Sequence, residues 1–440
     1  MNLIYGIKDK PKFAQLLVFA FQQVLAILAA TIAVPAIVGN GMSASAALFG
    51  AGVGTIVYQL FTKFRSPVFL GSSFAFIGSM VAAFAGATSA SAGFAGIILG
   101  AVFAGLVYVV IAAIVKLVGV MWINKLMPPV VIGPTVALIG LSLAGAAIKD
   151  VFSYGPQDGN GAFIMSAPAW ASLVCALVTL FVVMITSTYG KKMIKLIPFI
   201  IGILAGYVVA AIFTVCGIPV IDFSVFQNLQ IFAVPEFSFL AAMKGVQEIN
   251  GSYIATVAVA YVPVAFVVFA EHIADHKNLS SIIGKELLED PGLHRTLLGD
   301  GVGSMVGAFF GGCPNTTYGE SVGCVAITRN ASVITITTAA VMCVIISFFG
   351  PFVAFLDSIP GCVMGGVCVT LYGFIAVSGL KMIQKVDLGQ DKNLFVVASI
   401  LIPGIGGMAM AIGKVTLTAI ACALILGIIT NLLLSKKAAE

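Results

Sequence analysis

Apolar runs of about twenty residues recur along the whole 440-residue chain, and they limit its fold more than any other feature. The hydrocarbon core of a bilayer is about 30 Å thick, so one helical crossing needs roughly 20 apolar residues. Hydrophobic residues make up 60% of the chain and charged residues only 9%, whereas soluble domains contain about 25% charged residues. We therefore predict an all-α polytopic membrane protein with no large soluble domain.

Fourteen spans are predicted from the apolar runs. They cover residues 13–38, 43–62, 66–85, 91–115, 128–148, 167–186, 196–216, 252–274, 296–310, 313–328, 333–349, 360–379, 394–412 and 415–434. Basic residues concentrate on the cytoplasmic side of membranes, and this count places all but three of the 22 Lys and Arg residues on one face. The exceptions are Lys149, Lys244 and Lys414. The sequence thus predicts a multi-pass protein of the inner cell membrane with both termini cytoplasmic.

Two predicted spans do not resemble plain helices. Residues 66–85 (SPVFLGSSFAFIGSMVAAFA) and 313–328 (CPNTTYGESVGCVAIT) begin beside a proline and carry small polar residues before they become apolar. Non-helical backbone at membrane depth is tolerated only where it is buried in protein or lines a cavity. Paired interrupted segments in two halves of a transporter point to its binding site.

The two halves of the chain are weakly similar. Residues 127–145 (MPPVVIGPTVALIGLSLAG) resemble residues 359–379 (IPGCVMGGVCVTLYGFIAVSG), and this alignment places Gln22 of the first span opposite Glu271 of the eighth. Because each half would hold seven spans, an odd number, the second half must be inverted relative to the first. We predict a seven-plus-seven inverted repeat.

Two glutamates stand where a charge is costly. Glu271 ends a nearly uninterrupted apolar run, and an ionisable group inside a span marks a functional site by default; the alternative is a helix-end residue that reaches the lipid headgroups. Glu320 follows Tyr318 and Gly319 in the second interrupted segment. A helix that begins there would direct backbone N–H groups at a bound molecule, or Glu320 would only cap its own helix.

The stretch EHIADH at residues 271–276 places Glu271 beside Asp275 and His272 beside His276, because residues four apart are neighbours on a helix. Two histidines at this spacing are one possible divalent-metal site. The favoured interpretation is a pair of coupled carboxylates, which is what a proton carrier requires because two like charges held close together are not both ionised. No metal and no cofactor other than the proton is predicted.

The spans contain acidic residues but no basic residue near their centres, so an anionic ligand would lack a counter-charge. Carboxylates that accept N–H bonds, backbone N–H groups that face carbonyl oxygens, and the rings of Phe74 and Tyr318 suit a planar heterocyclic amide. A pyrimidine or purine base fits this description, and so does a small cation. Nucleic-acid binding is not expected, since the basic residues lie in short loops. The chain shows no enzyme motif, although Glu271 and Asp275 leave an intramembrane acid pair as an alternative.

At these residues the sequence resembles the nucleobase/ascorbate transporter family, and its bacterial uracil-type members in particular. The matching stretches are LGSSFAF at 70–76, FAEH at 269–272, LEDPGLHR at 288–295, PNTTYGE at 314–320 and GCVAITR at 323–329. The similarity runs over essentially the whole chain. The order and spacing of these stretches make the match specific.

The resemblance implies a fold and a mechanism. Spans three and ten would begin as short β-strands that meet at mid-membrane. A core domain would comprise residues 1–118 and 236–356, and a gate domain residues 119–235 and 357–440. The resemblance further implies a homodimer in the lipid bilayer that imports a base with protons by relative motion of the two domains.

The resemblance also implies roles for single residues. Glu271 and Glu320 would accept hydrogen bonds from ring N–H groups, and a glutamate at position 320 favours uracil over xanthine. The other implied substrate-site residues are Phe74, Ala75, Tyr318, Gly319 and, across the domain interface, Tyr372. A purine-base permease and an anion transporter of the same fold remain alternatives.

Three positions depart from the family pattern. Ser321 stands in place of an asparagine, and Gln23 in place of a first-span histidine. Asp275 stands where a histidine is linked to proton coupling, and the carboxyl pair of Glu271 and Asp275 would take over that role. We therefore assign proton coupling to Asp275 and Glu271.

Overall fold

The computed structural model describes residues 3–119, 128–191, 193–227, 229–412 and 415–435, and it is mostly helical. Two strand pairs and eighteen helices are named here. The first nine helices are α1 (Phe13–Val38), α2 (Ala44–Phe61), α3 (Ile77–Ala85), α4 (Ala90–Val118), α5 (Pro129–Ser142), α6 (Ala144–Val151), α7 (Ala167–Tyr189), α8 (Met193–Leu196) and α9 (Pro198–Val215). The other nine are α10 (Ser238–Gly245), α11 (Gly251–Ile283), α12 (Leu293–Gly311), α13 (Gly319–Thr328), α14 (Val333–Ile346), α15 (Gly350–Asp357), α16 (Gly361–Ile383), α17 (Asp391–Ile405) and α18 (Ala419–Ser435). The strands are β1 (Leu70–Ser72), β2 (Asn315–Thr317), β3 (Met410–Ile412) and β4 (Val415–Leu417).

Within the described ranges, eight helices are long and apolar enough to cross a membrane. They are α1, α2, α4, α7, α9, α11, α16 and the stretch Pro129–Val151, which α5 and α6 form together. Each coincides with a predicted span, so the multi-pass helical membrane fold is confirmed. The other six predicted spans are shorter, interrupted or less apolar, and the count of fourteen stays a prediction. Lys414 and the last five residues lie outside the described residues.

The last two predicted spans are wrong at the ends that face each other. The helix expected over residues 394–412 ends at Ile405, and the one expected over 415–434 begins at Ala419. Between them β3 and β4 pair antiparallel, with Met410 opposite Leu417. Gly406 and Gly407 end the helix, and Gly407 has a φ of 72°, a conformation that glycine adopts without strain.

The helices pack in two groups. In the first group α12 packs against α2 and α4, α14 against α1 and α2, and α11 against α4. In the second, α16 packs against α5 and α7, α9 against α7, and α17 against α18 and α5. Helices α1 and α11 also contact members of the second group, so they lie at the boundary between the two groups.

Glycines allow the helices of the first group to approach closely. A Cβ atom added to Gly50 of α2 would lie 2.5 Å from the carbonyl oxygen of Gly307 of α12. The Gly50 carbonyl in turn accepts a hydrogen bond of 3.0 Å from the Asn315 side chain at the start of β2. This contact fixes the position of β2 against the helices around it.

The predicted short strands are confirmed. β1 and β2 pair antiparallel, with Leu70 opposite Thr317 and Ser72 opposite Asn315. All six residues are buried. Because no water is available at membrane depth to bond free N–H and C=O groups, each strand serves as the hydrogen-bonding partner of the other.

Candidate functional site

The strand pair brings the starts of two short helices to one place. Beyond the strands, the Ser73 N–H donates to the Pro314 carbonyl at 2.9 Å, and the Tyr318 N–H donates to the Phe69 carbonyl at 3.2 Å. After β1 a 3-10 turn (Phe74–Phe76) leads into α3, and after β2 the helix α13 begins at once. The first N–H groups of a helix have no partner within it, so this arrangement offers donors to a ligand.

A cavity of about 430 Å³ lies against these two helix starts. Seven of the eight predicted site residues line it: Phe74, Ala75, Glu271, Asp275, Tyr318, Gly319 and Glu320. Thr316 and Thr317 of β2 also line it, together with Val267 and Ala274 of α11. The cavity therefore joins both interrupted segments with the acidic stretch of α11, which are far apart in the sequence.

Three carboxylates face this cavity. Glu271 and Asp275 lie one turn apart on α11, and Glu320 lies in the first turn of α13. The Thr317 hydroxyl donates a hydrogen bond of 2.8 Å to Asp275 and so connects β2 to α11. The described residues that line the cavity include no Lys, Arg or His, so the site attracts hydrogen-bond donors and protons rather than anions.

Tyr318 is held from both sides. Its hydroxyl donates to the Ser72 carbonyl at 2.7 Å, and its ring lies against Gly71, where an added Cβ atom would come within 2.3 Å of it. Glycine is the residue that permits this approach. The ring is therefore a fixed part of the cavity wall.

Tyr372 is the predicted site residue that does not line the cavity. It lies on α16 behind Phe74, and the two rings meet edge to face with their centroids 6.3 Å apart. Tyr372 is 3% exposed. In this structure it packs against a wall residue, so any contact with a ligand remains a prediction.

The wall opposite the acids comes from the second helix group and is mostly apolar. It consists of Val136, Ile139, Phe199, Leu371, Phe374, Ile375, Ser378 and Met382. Sequence reasoning did not single out these residues, because an apolar side chain that faces a cavity looks the same in the sequence as one that faces lipid. The role that the resemblance implies for Tyr372 was the only pointer to this wall.

A buried polar network lies behind the acids. His272 Nδ1 and Asp300 Oδ2 are 2.8 Å apart and both side chains are fully buried, while His272 Nε2 contacts the Thr296 hydroxyl at 3.0 Å. His276 Nε2 contacts the Tyr58 hydroxyl at 2.7 Å, and its Nδ1 contacts the His272 carbonyl at 2.8 Å. Both imidazoles thus use their nitrogens in bonds to the protein, which argues against the metal interpretation.

Sequence reasoning missed Asp300, although a signal was present. Asp300 lies inside the predicted span 296–310, and a carboxylate there needs a partner. Its partner His272 is 28 residues away on another helix, and no local spacing connects the two. The structure makes this pair visible.

The sequence matches the Permease family over residues 14–413. Curated relatives are the uracil permease of Bacillus caldolyticus, 39% identical over 98% of this chain and 94% of that protein, and the uracil permease of Bacillus subtilis, 36% identical over 99% and 96%. The uracil permease of Escherichia coli K12 is 33% identical over 96% of this chain and 92% of that protein.

Solved structures with the same fold are more distant in sequence. The transmembrane domain of the cyanobacterial bicarbonate transporter BicA matches with a TM-score of 0.61 and 14% identity, over 97% of this chain and all of that one. The murine anion transporter Slc26a9 matches with a TM-score of 0.69 and 13% identity, over 98% of this chain and 70% of that one. These likenesses describe the fold alone. The family match and the full-length relatives show that the chain belongs to the Permease family and is a membrane transporter rather than an enzyme.

Proposed function

We propose that the chain imports uracil across the cytoplasmic membrane together with protons. The observation that carries this proposal is the single cavity in which three carboxylates meet the starts of two short helices. The full-length relatives, which are uracil permeases, support the choice of substrate. No cofactor is needed, since the proton is the coupling ion.

Uracil offers two ring N–H groups and two carbonyl oxygens in one plane. Glu271 and Glu320 accept hydrogen bonds from the N–H groups, and backbone N–H groups at Phe74, Ala75 and Gly319 face the carbonyl oxygens. The Phe74 and Tyr318 rings confine the plane of the base. Every polar edge of the ligand then has a partner, which a buried site requires.

Asp275 and Glu271 carry the coupling proton. Three acids around one buried cavity repel each other when all are ionised, so binding one proton relieves this repulsion. Asp275 is placed for this role because Thr317 holds it in the cavity wall at 2.8 Å. A proton held by one acid leaves the other carboxylates free to accept the N–H groups of uracil, so the site can hold the proton and the base at the same time.

Transport follows from movement of one helix group against the other. The core domain comprises residues 1–118 and 236–356, and the gate domain residues 119–235 and 357–440. The acids belong to the core, and the apolar wall belongs to the gate. Relative movement would open the cavity to one side of the membrane and then to the other, with Tyr372 approaching the base from the gate.

The inverted repeat is proposed because the two halves of the chain carry the same order of elements around the cavity. Each half contributes one short strand, β1 or β2, and each strand is followed by a short helix, α3 or α13. We also propose a homodimer of fourteen-span subunits with both termini in the cytoplasm.

An anion transporter is the second candidate, because the solved relatives of this fold include a bicarbonate transporter and an anion transporter. The acidic cavity disfavours it. A purine-base permease is the third candidate; a purine base is larger than uracil and carries additional ring nitrogens that need hydrogen-bonding partners of their own.

The test is uracil binding by Glu320→Gln. The amide keeps the size of the side chain but replaces one acceptor oxygen with a donor, so we expect at least about a tenfold loss of affinity, the loss of roughly one hydrogen bond to a charged group. Glu289→Gln, at an exposed position, is the matched control and should bind as the parent does. Unchanged uracil binding by Glu320→Gln would exclude this site.

A further inference from the structure

Two of the positions that depart from the family pattern contact each other. The Gln23 side-chain amide on α1 donates a hydrogen bond to the hydroxyl of Ser321 on α13. The same hydroxyl oxygen accepts a second bond, of 3.2 Å, from the backbone N–H of Phe69. One oxygen therefore joins α1, the segment that leads into β1, and the first turn of α13.

This junction is buried in the protein. Gln23 is 2% exposed, and Ser321 and Phe69 are fully buried. A buried polar group that loses its partner bears the full cost of its desolvation, so the bonds hold the three segments together firmly.

The junction lies directly behind Glu320. The backbone of Phe69 forms hydrogen bonds with the two residues that flank Gly319 and Glu320. Its carbonyl accepts from the Tyr318 N–H at 3.2 Å. Its N–H donates to the Ser321 hydroxyl. The turn that carries Glu320 is thus fixed at both ends. A side chain on a fixed turn presents its carboxylate to the cavity in one orientation.

Helix α1 extends this contact towards the second helix group. One turn beyond Gln23 and Ser321, Ala26 packs against Cys324, and Ile197, the residue before α9, packs against this pair. Helix α1 also contacts α9 and α16. The junction therefore lies on the path between the acid that faces the ligand and the helices that would move.

We propose that Gln23 and Ser321 are positioning residues for Glu320 and so determine how strongly the site holds its base. The choice of uracil as ligand rests on the function proposed above. The two residues act as a unit, because Gln23 reaches the turn that carries Glu320 through the Ser321 hydroxyl.

The first experiment is a double-mutant cycle on uracil binding by the purified full-length protein. Gln23→Leu and Ser321→Ala should each weaken uracil binding about tenfold, and the double variant should bind no more weakly than the poorer single variant. The control cycle uses Tyr207→Phe and Ser358→Ala. These changes remove the 2.8 Å hydrogen bond between the two hydroxyls, neither of which lines the cavity. The control variants should bind uracil as the parent does. Additive losses in the Gln23–Ser321 cycle would overturn the proposal.

The second experiment measures how readily residue 320 is reached from the cavity when no nucleobase is bound. A cysteine placed by Glu320→Cys is alkylated from the cavity, and the parent with Glu320 intact gives the background rate from the other cysteines. Adding Gln23→Leu should change the alkylation rate severalfold, and adding Ser358→Ala should not. An unchanged rate with Gln23→Leu would overturn the proposal, even if the parent protein binds a base other than uracil. Failure of the parent to bind uracil would count against the proposed substrate alone.

Discussion

The Thr317 hydroxyl donates a hydrogen bond of 2.8 Å to the carboxylate of Asp275. This bond connects the strand that precedes Glu320 to the helix that carries Glu271, so it ties the proposed proton site to the proposed substrate site. We therefore expect proton binding at Asp275 and base binding beside Glu320 to be linked through this bond.

Replacing Thr317 with valine should loosen the coupling of uptake to the proton gradient. Valine keeps the shape of threonine but lacks the donor, and a hydrogen bond to a charged group contributes about 1.5–3 kcal/mol. We expect the accumulation of uracil driven by an imposed proton gradient to fall about tenfold, with Thr317→Ser retaining most of it. Thr337→Val, which loses only a bond within its own helix, is the control. Full accumulation by Thr317→Val would contradict the link.

Replacing Gly71 with alanine should destabilise the protein and displace the Tyr318 ring. The new Cβ atom would lie 2.3 Å from that ring, and overpacking of this kind costs about 1–3 kcal/mol. The thermal midpoint in detergent and the affinity for uracil should both fall. At Gly78 in the same segment the nearest atom is 3.6 Å away, so Gly78→Ala should change neither quantity. Equal effects of the two variants would show that the close approach at Gly71 is unimportant.

Replacing Asp300 with asparagine should cost much more stability than breaking an ion pair at the surface. Asp300 and His272 are fully buried and 2.8 Å apart, and a buried group that loses its hydrogen-bonding partner costs about 1–3 kcal/mol. Arg65 and Asp290 form a pair of similar length, 2.9 Å, whose side chains are 46% and 44% exposed, so Arg65→Gln should cost less than about 1 kcal/mol. Thermal unfolding compares the two variants. A smaller loss for Asp300→Asn than for Arg65→Gln would refute a structural role for the buried pair.

The stability that Asp290 contributes should be present at neutral pH and should be lost in acid. Hydrogen bonds from Lys285 and Arg65 hold the pKa of Asp290 below its usual range. A lowered pKa means that the carboxylate stabilises the fold at neutral pH and that this contribution disappears only as the pH falls through the lowered pKa. Asp290→Asn should lower the thermal midpoint by about 2 °C or less at pH 7.

The same difference between parent and Asp290→Asn should persist down to about pH 4 and shrink at lower pH, because the ordinary pKa of aspartate is about 3.9. Added salt should also reduce it, since exposed charges are screened. A difference that grows as the pH falls from 7 to 4 would contradict a lowered pKa of Asp290.

The acidic half of the site could be predicted from the sequence because a carboxylate in an apolar run is visible there. Glu271 and Glu320 were found in this way, and the small polar residues before Glu320 indicated non-helical backbone. The gate-side wall could not be predicted, since the sequence gives Phe199 and Met382 no feature that distinguishes a cavity from lipid. The partners of buried polar groups, such as Asp300 for His272, depend on contacts between distant segments.

The ends of the last two spans were also unpredictable from hydropathy. Residues 394–412 are apolar apart from Ser399, and hydropathy does not separate a helix from a short strand. The signals of a break there were Pro403 and the glycines Gly404, Gly406 and Gly407.

Uptake of radiolabelled uracil by proteoliposomes containing the purified chain tests the central claim most directly. An inward proton gradient should drive uracil above its external concentration, a protonophore should abolish this accumulation, and unlabelled uracil should compete better than xanthine or bicarbonate. Uracil uptake that ignores the protonophore would contradict proton coupling. Uptake of bicarbonate or xanthine in place of uracil would contradict the proposed substrate.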